Sequence, residues 1–266
     1  MASAWAQTQR EGWLSSLYGQ ESGDGIRSLS NNSVQSQLIN VLEGLLASTL
    51  SPKDAATKTA SLIMSQKDVN TPWSNTIGMC LKAAEDFADE KELQALVDLL
   101  VELASLPDAI NEGGKLWSEL PEFSWNLTES FQGPELSLWN VGSPATPETA
   151  KAAWKNINTF VALLAKSRDA QAIPALAGSI RRSPLTLAMA LEYSPTTRPG
   201  KNVDLHVPAA AQWFRIAGDE LERLCRDGTE RFHAGDLWTS SGGGDVCDLA
   251  RLQFWKARMA ELGYGL

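Results

Sequence analysis

The chain has 266 residues, 43% of them hydrophobic, and carries a formal net charge of −9 at pH 7. This length allows one large domain or two small ones with a sizeable core. The acidic balance argues against nucleic acid or an anionic membrane surface as the main partner, because both bind basic faces. No stretch of the sequence is long and apolar enough to predict a membrane-spanning helix.

The N-terminal residues and the cysteines predict a cytoplasmic protein. The first residues, MASAWAQTQREGWLSS, lack the basic and then apolar segments of a signal peptide. The three cysteines, Cys80, Cys225 and Cys247, are scattered and odd in number. This pattern favours buried or free thiols in a reducing compartment over a disulfide framework.

Helix-start signals recur along the chain. Ser51, Thr71 and Thr146 each precede a proline, a combination typical of an N-cap followed by the first helical residue. Asp89 and Glu92 have capping-box spacing and precede a broad apolar stripe. Further helices are predicted at about 33–49, 170–182, 185–193, 206–227 and 245–262, the last with Asp245 as its cap, and residues 1–30 are expected to form an arm or a helix.

These signals predict an all-α fold. No run of alternating apolar and polar residues predicts a strand, and no repeat of fixed period predicts a solenoid. We therefore expect a single domain, residues 1–266, built as a bundle of about ten helices.

Residues 107–146 interrupt the helical pattern. The segment has glycine and proline breaks, poor periodicity and five aromatic residues, namely Trp117, Phe123, Trp125, Phe131 and Trp139. Long irregular segments inside a domain often act as lids or binding loops. The alternative is a loop that packs its own aromatic side chains over the bundle.

The sequence offers little support for a metal or cofactor site. Residues 85–90, EDFADE, resemble the aspartate-rich metal motif of terpene synthases, but Asp89 is better placed as the cap of the next helix than beside Asp86. The glycine-rich residues 240–246 lack the Lys–Ser/Thr of a phosphate-binding loop. With only two histidines in the chain, we predict no metal and no cofactor.

A few polar residues lie beside apolar helical faces. Asn158 adjoins the stripe that includes Trp154 and Val161, so its amide is either a structural clamp or faces a ligand. His206 is either a helix-start residue or a catalyst, and Glu192 is either a solvated helix-end residue or a carboxyl group of raised pKa.

Several stretches together resemble a known family. In order, they are LWSELPEFSWNLTESF, AWKNINTFVALLA, LAMALEY, VPAAAQWFRIAGDEL and LARLQFWKARM. They are similar to a fungal family of unknown function that includes the oxopyrrolidine-biosynthesis cluster protein G, over about residues 70–262. The residues that match the family pattern are Trp117, Trp154, Asn158, Phe160, Glu192, Trp213 and Trp255.

The resemblance implies a cytosolic, helical protein, with some relatives encoded in secondary-metabolite gene clusters, but it brings no agreed catalytic set. Leu163 and Leu252 depart from the pattern, where an arginine and an aromatic residue are expected. If these positions line a cavity, that cavity is more apolar here than in the relatives.

We therefore expect a cofactor-independent enzyme of fungal secondary metabolism that acts on an apolar terpenoid or polyketide intermediate. Folding the substrate in an aromatic pocket could promote a cyclisation or a Diels–Alder-type cycloaddition. The candidate catalytic donors are Asn158, His206 and Tyr193, and the candidate substrate-binding residues are Trp117, Trp125, Trp139, Trp154, Trp213 and Glu192. The alternative is a non-catalytic helical interaction or scaffold protein without a sizeable pocket.

Overall fold

The computed structural model describes residues 1–21, 27–111, 114–139 and 145–265. These residues are predominantly helical, which confirms the predicted all-α class. The chain forms two compact units. Unit 1 contains Met1–Glu129 and Ile173–Ala175, and unit 2 contains Ser130–Ala172 and Leu176–Leu266. A single domain over the whole chain remains a prediction.

Unit 1 is built from helices and two very short hairpins. Its helices are α1 (Ala2–Glu11), α2 (Trp13–Tyr18), α3 (Val34–Leu46), α4 (Pro52–Met64), α5 (Asn70–Asp86), α6 (Glu90–Ala104), α7 (Leu116–Glu119) and α8 (Phe123–Ser130), the last of which ends at the first residue of unit 2. The antiparallel hairpins pair β1 (Gln20–Glu21) with β2 (Arg27–Ser28), and β3 (Ile110–Asn111) with β4 (Gly114–Lys115).

The predicted caps of two helices in unit 1 are confirmed. The Ser51 side chain accepts a hydrogen bond from the backbone N–H of Asp54, and the Asp89 side chain accepts one from Lys91. Asp86 ends α5 and Asp89 caps α6, so the two aspartates of EDFADE lie on different elements, as expected.

The predicted start of α5 at Thr71 is wrong. The helix begins at Asn70, and the Asp68 carboxylate accepts hydrogen bonds from the backbone N–H groups of Asn70 and Thr71. A carboxylate three residues before Thr71 therefore accepts from the first N–H groups of the helix, which begins earlier than the Thr71–Pro72 pattern predicts. Pro72 still lies in the first turn, where its missing N–H is not needed.

Residues 107–146 are less irregular than predicted. The described part contains the short helices α7, α8 and α9 (Pro134–Leu138) besides the second hairpin, while residues 112–113 and 140–144 lie outside the described residues. Trp117 is buried, whereas Trp125 and Trp139 are 69% and 55% exposed. The segment is divided between the two units at residue 129, and its role as a lid remains a prediction.

Unit 2 is built around two of its own long helices, α10 (Pro147–Lys166) and α13 (Val203–Asp227), which pack on each other. Its other helices are α9, α11 (Arg168–Gln171), α12 (Ser183–Leu191), α14 (Asp236–Ser240) and α15 (Leu249–Glu261), with single 3₁₀ turns at Ser179–Arg182 and Gly200–Asn202. Thr146 caps α10 as predicted, because its hydroxyl accepts a hydrogen bond from the Thr149 N–H. Helix α13 is kinked at Ala217.

Two predictions for unit 2 need correction. A helix over 170–182 is interrupted after Gln171, because Pro174 cannot continue the hydrogen-bond ladder and Gly178 has a φ of +78°. The cap of α15 is Asp248 and not Asp245, because the Asp248 side chain accepts the Arg251 N–H. The Asp245 carboxylate instead accepts the N–H of Ala234.

Candidate functional site

Asn158 lies at the junction of three helices of unit 2. Its Oδ1 accepts hydrogen bonds from Thr186 Oγ1 of α12 at 2.6 Å and from Trp213 Nε1 of α13 at 2.8 Å. Its Nδ2 donates to the Trp154 carbonyl one turn earlier in α10, also at 2.8 Å. Asn158, Thr186 and Trp213 are fully buried.

The geometry at Asn158 is that of a structural clamp. Both acceptor positions of the amide oxygen are occupied by donors from two other helices, so the oxygen has no remaining capacity for a ligand. The indole N–H of Trp213 is used by the same oxygen. Among the sequence-predicted site residues, Asn158 and Trp213 therefore come together, but as parts of a packed core.

Glu192 forms the second polar centre of unit 2. Its Oε1 accepts hydrogen bonds from Arg251 Nε at 2.7 Å and from Trp255 Nε1 at 2.5 Å. Its Oε2 accepts bonds from Arg251 Nη2 and from the backbone N–H of Gly235, both at 2.9 Å. All of these groups lie in the interior, because Glu192, Arg251 and Trp255 are fully buried.

The remaining donors of Arg251 hold the loop that precedes α15. Nη1 donates to the carbonyls of Phe232 and Asp245, and Nη2 donates to the carbonyl of His233. Every charged atom of the pair therefore has a partner, which is the condition for a buried ion pair to be tolerated. No local pattern predicts this partnership, because Arg251 is 59 residues from Glu192. Glu192 is neither of the alternatives offered by the sequence, a solvated helix-end residue or a carboxyl group facing a ligand, because it is fully buried and its oxygens are bound within unit 2.

The neighbourhood of Trp139 in unit 2 contains an open groove. It has a volume of about 330 Å³ and is lined by Gln132, Glu135, Leu136, Trp139, Met189, Arg198 and Pro199. This volume is at the lower end of the range for small-molecule sites, roughly 300–1,000 Å³. Most of the lining side chains are apolar, and the carboxylate of Glu135 and the guanidinium of Arg198 are its charged groups.

A carboxylate–imidazole pair lies at this groove. The Glu135 carboxylate Oε1 is 2.8 Å from Nε2 of the fully buried His206, and Asn202 Nδ2 donates to the same oxygen at 3.4 Å. Burial by itself raises the pKa of Glu135, but the hydrogen bond and electrostatic attraction from His206 outweigh it. The pKa of Glu135 consequently lies below its ordinary value, and the group is a carboxylate at neutral pH.

Trp139 and Arg198 form one side of the groove. The Arg198 guanidinium carbon lies 4.0 Å from the centre of the Trp139 ring, a cation–π arrangement. Trp139 is the one sequence-predicted binding residue that lines this groove. His206 reaches the groove only through Glu135. No sequence pattern pairs these residues, because they are 71 residues apart.

The other predicted residues are distributed elsewhere. Trp117 is in unit 1, edge-on to Trp73, whose indole N–H donates to the Pro121 carbonyl. Trp125, also in unit 1, is largely exposed. Tyr193 is half-buried, and its pKa is raised mainly by burial and then by the Glu192 carboxylate. Trp154 lies in unit 2, where its ring meets the edge of His206 with a centroid separation of 6.3 Å.

The groove has the volume of a small-molecule site, and its wall carries a carboxylate that is hydrogen-bonded to an imidazole. Within the described ranges, no group of three or more His, Cys, Asp or Glu side chains could hold a metal ion.

Cys80, Cys225 and Cys247 are buried and free as predicted. Burial raises the pKa of each thiol, to about 12 for Cys80. They are therefore poor nucleophiles at neutral pH.

In the part of the chain that the structure describes, no helix has the length and apolar character needed to cross a membrane.

Comparison with known proteins gives a family but no function. No curated protein and no solved structure matches the chain. One family model matches residues 78–259, which is more than half of the chain. The protein therefore belongs to the family described as protein of unknown function (DUF3632).

Proposed function

We propose that this protein is a cofactor-independent enzyme of secondary metabolism that binds a largely apolar terpenoid or polyketide intermediate in the groove beside Trp139. The observation that carries this proposal is the groove of about 330 Å³ with the Glu135–His206 pair on its wall. The metabolic setting comes from the resemblance to the fungal family that includes the oxopyrrolidine-biosynthesis cluster protein G.

The groove suits a molecule with an apolar body and one polar group. Leu136, Met189 and Trp139 offer apolar contacts, and the Arg198 guanidinium can hydrogen-bond to a carbonyl or an anionic oxygen. Restricting a flexible chain against these side chains would favour folded, reactive conformers. The Glu135 carboxylate and the His206 imidazole would supply proton transfer, so a cyclisation or an isomerisation is the reaction class that we propose.

This places the chemistry away from Asn158. The amide of Asn158 is committed to Thr186 and Trp213, so it is not part of the proposed site. Among the donors selected from the sequence, His206 is the one retained.

Binding can be tested with 2-naphthol, which has an apolar body and one hydroxyl group and is small enough for the groove. Trp139→Ala should weaken binding by about tenfold, because it removes a large aromatic contact. Trp125→Ala removes an indole that is also more than half exposed, but from unit 1, and should leave binding unchanged. Equal affinity in the wild type and both variants would contradict binding in this groove.

Catalysis can be tested without knowing the substrate. A cyclisation or isomerisation conserves mass, so incubation with a small-molecule extract and no added cofactor should convert one compound into an isomer of equal mass. The Glu135→Gln variant should slow this conversion. We expect the same rate in the presence of EDTA, and loss of activity that Mg²⁺ restores would contradict a cofactor-free enzyme.

The second candidate function is a non-catalytic helical interaction protein. The observation that favours it is the packed core around Asn158 and Trp213. An enclosed apolar pocket at that position would instead have supported the enzyme. If 2-naphthol does not bind and no isomer forms, this second function is the better account.

A further inference from the structure

Arg198 lines the groove of unit 2, and its guanidinium has no hydrogen-bond or ion-pair partner among the described residues. It lies over the Trp139 ring, with 4.0 Å between the guanidinium carbon and the ring centre. Glu135 is the other charged residue that lines the groove, and no ion pair joins these two described side chains. Stacking on an aromatic face leaves the N–H groups at the edge of a guanidinium free. These donors are therefore open to a molecule in the groove.

The backbone that carries Arg198 is held by its own loop. The Thr197 hydroxyl donates to the Ser194 carbonyl at 2.7 Å and accepts the Gly200 N–H at 3.1 Å. Gly200 lies so close to the loop backbone that a Cβ atom would be 2.0 Å from the Ser194 carbonyl oxygen. This tight loop and the Trp139 ring together position the guanidinium before a ligand arrives, which reduces the entropy cost of binding.

A carboxylate is the group that best fits these donors. The planar guanidinium presents parallel N–H groups at the spacing of the two carboxylate oxygens, and the opposite charges strengthen both hydrogen bonds. A hydroxyl or a carbonyl offers a single uncharged oxygen, so it gains less from the same side chain. Leu136, Met189 and Pro199 provide apolar lining beside the guanidinium.

We propose that the groove binds apolar molecules that carry a carboxylate, and that Arg198 holds the carboxylate through two parallel hydrogen bonds. The inference rests on the proposed function and narrows its substrate class to apolar carboxylic acids in their ionised form. Arg198 holds one end of the substrate while the apolar side chains contact its body. Arg198 is then a specificity-determining residue, and proton transfer belongs to Glu135 and His206.

The Glu135 carboxylate opposes an anion in the same groove. Its Oε1 is 2.8 Å from Nε2 of His206 and 3.4 Å from Nδ2 of Asn202, so the protein itself already binds this oxygen. The repulsion that remains predicts a direction. Glu135→Gln should raise the affinity for a carboxylate relative to an uncharged analogue, because it removes a like charge. A groove that bound cations through Glu135 would respond in the opposite direction.

The test compares 2-naphthoate with 2-naphthol, which share a ring system and differ in charge at pH 7. Titration calorimetry on the full-length protein gives the two affinities. We expect 2-naphthoate to bind about fivefold more tightly, the upper end for a solvent-exposed ion pair. The ratio of the two affinities should fall to about one in Arg198→Gln. It should also fall in the wild type at about 1 M NaCl, where charges are screened beyond about 3 Å.

Two further variants serve as controls. Arg223→Gln removes a guanidinium of α13 that is 65% exposed and does not line the groove, so the ratio should be retained. Arg198→Lys keeps the charge and loses the planar pair of donors, so its ratio should lie between those of the wild type and Arg198→Gln. Because Arg198 is exposed, both of its variants should melt at the wild-type temperature.

The outcomes separate the inference from the proposed function. Equal affinities for the two probes in the wild type, an unchanged ratio in Arg198→Gln or a lower ratio in Glu135→Gln would each overturn the inference. The proposed function still stands in these cases if 2-naphthol binds and Trp139→Ala weakens its binding. If neither probe binds, the proposed function fails and the inference fails with it.

Discussion

Unit 2 contains two buried carboxylates that are bound by basic side chains, and they differ in how completely their polar atoms are satisfied. Glu192 and Arg251 are both fully buried and use backbone groups and Trp255 to satisfy their remaining atoms. Glu135 lies at the wall of a groove, and Nδ1 of the His206 that binds it has no hydrogen-bond partner among the described residues. The first pair has the properties of a structural element, whereas the second lies beside open space.

The comparison shows that burial and charge alone do not identify a site. Glu192 is the more deeply buried carboxylate and is bound by a guanidinium, yet its oxygens are committed to side chains and backbone of the same unit. What distinguishes Glu135 is an adjacent groove, together with a neighbouring polar atom that no residue in the described ranges binds.

The largest effect that would test this contrast is expected at Arg251. Arg251→Met would leave the Glu192 carboxylate buried without its charge partner, which costs about 3–5 kcal/mol of the free energy of unfolding. Urea denaturation should show this loss, while the folded fraction should still bind 2-naphthol. Arg223→Met is a matched control, because Arg223 is exposed, and it should change stability by less than about 0.5 kcal/mol.

A smaller effect is expected at the uncharged clamp. Asn158→Ala would leave the buried donors of Thr186 and Trp213 without their acceptor and cost roughly 1–3 kcal/mol. Thermal melting measures the loss, and Asn31→Ala, at an exposed position, is the control. Reduced turnover by the folded fraction with unchanged melting would contradict the structural role and return Asn158 to the site.

The smallest effect concerns the pH dependence of Glu135. Because its folded pKa lies below the ordinary value, the ionised form contributes stability that is present above the ordinary glutamate pKa and is lost as the pH falls through the folded pKa. Glu135→Gln should therefore destabilise the protein slightly at neutral pH, and the difference from the wild type should vanish in acid.

The control for this measurement is Glu129→Gln, at an exposed carboxylate. A difference between wild type and Glu135→Gln that grows in acid would contradict the direction of the pKa shift.

The sequence predicted the features that depend on neighbouring residues. The caps Ser51, Asp89 and Thr146 act on backbone groups within three residues, so their effect is visible in a short window. The same rule was wrong at Thr71 and Asp245, because Asp68 accepts the N–H groups of Asn70 and Thr71, and Asp248 accepts that of Arg251. Local patterns therefore determine where these helices form, but the two helix starts differ from the predicted ones by two or three residues.

Only the tertiary structure decided which polar residues share a site. His206 is 71 residues from Glu135, and Arg251 is 59 residues from Glu192. Asn158 meets Thr186 and Trp213 at separations of 28 and 55 residues. A helical pattern shows that such a residue lies beside an apolar face, but the partner that it finds there depends on which helices pack together. The all-α class thus followed from the sequence, whereas the commitment of Asn158 and Glu192 to the core, and of Glu135 to the groove, followed from helix packing.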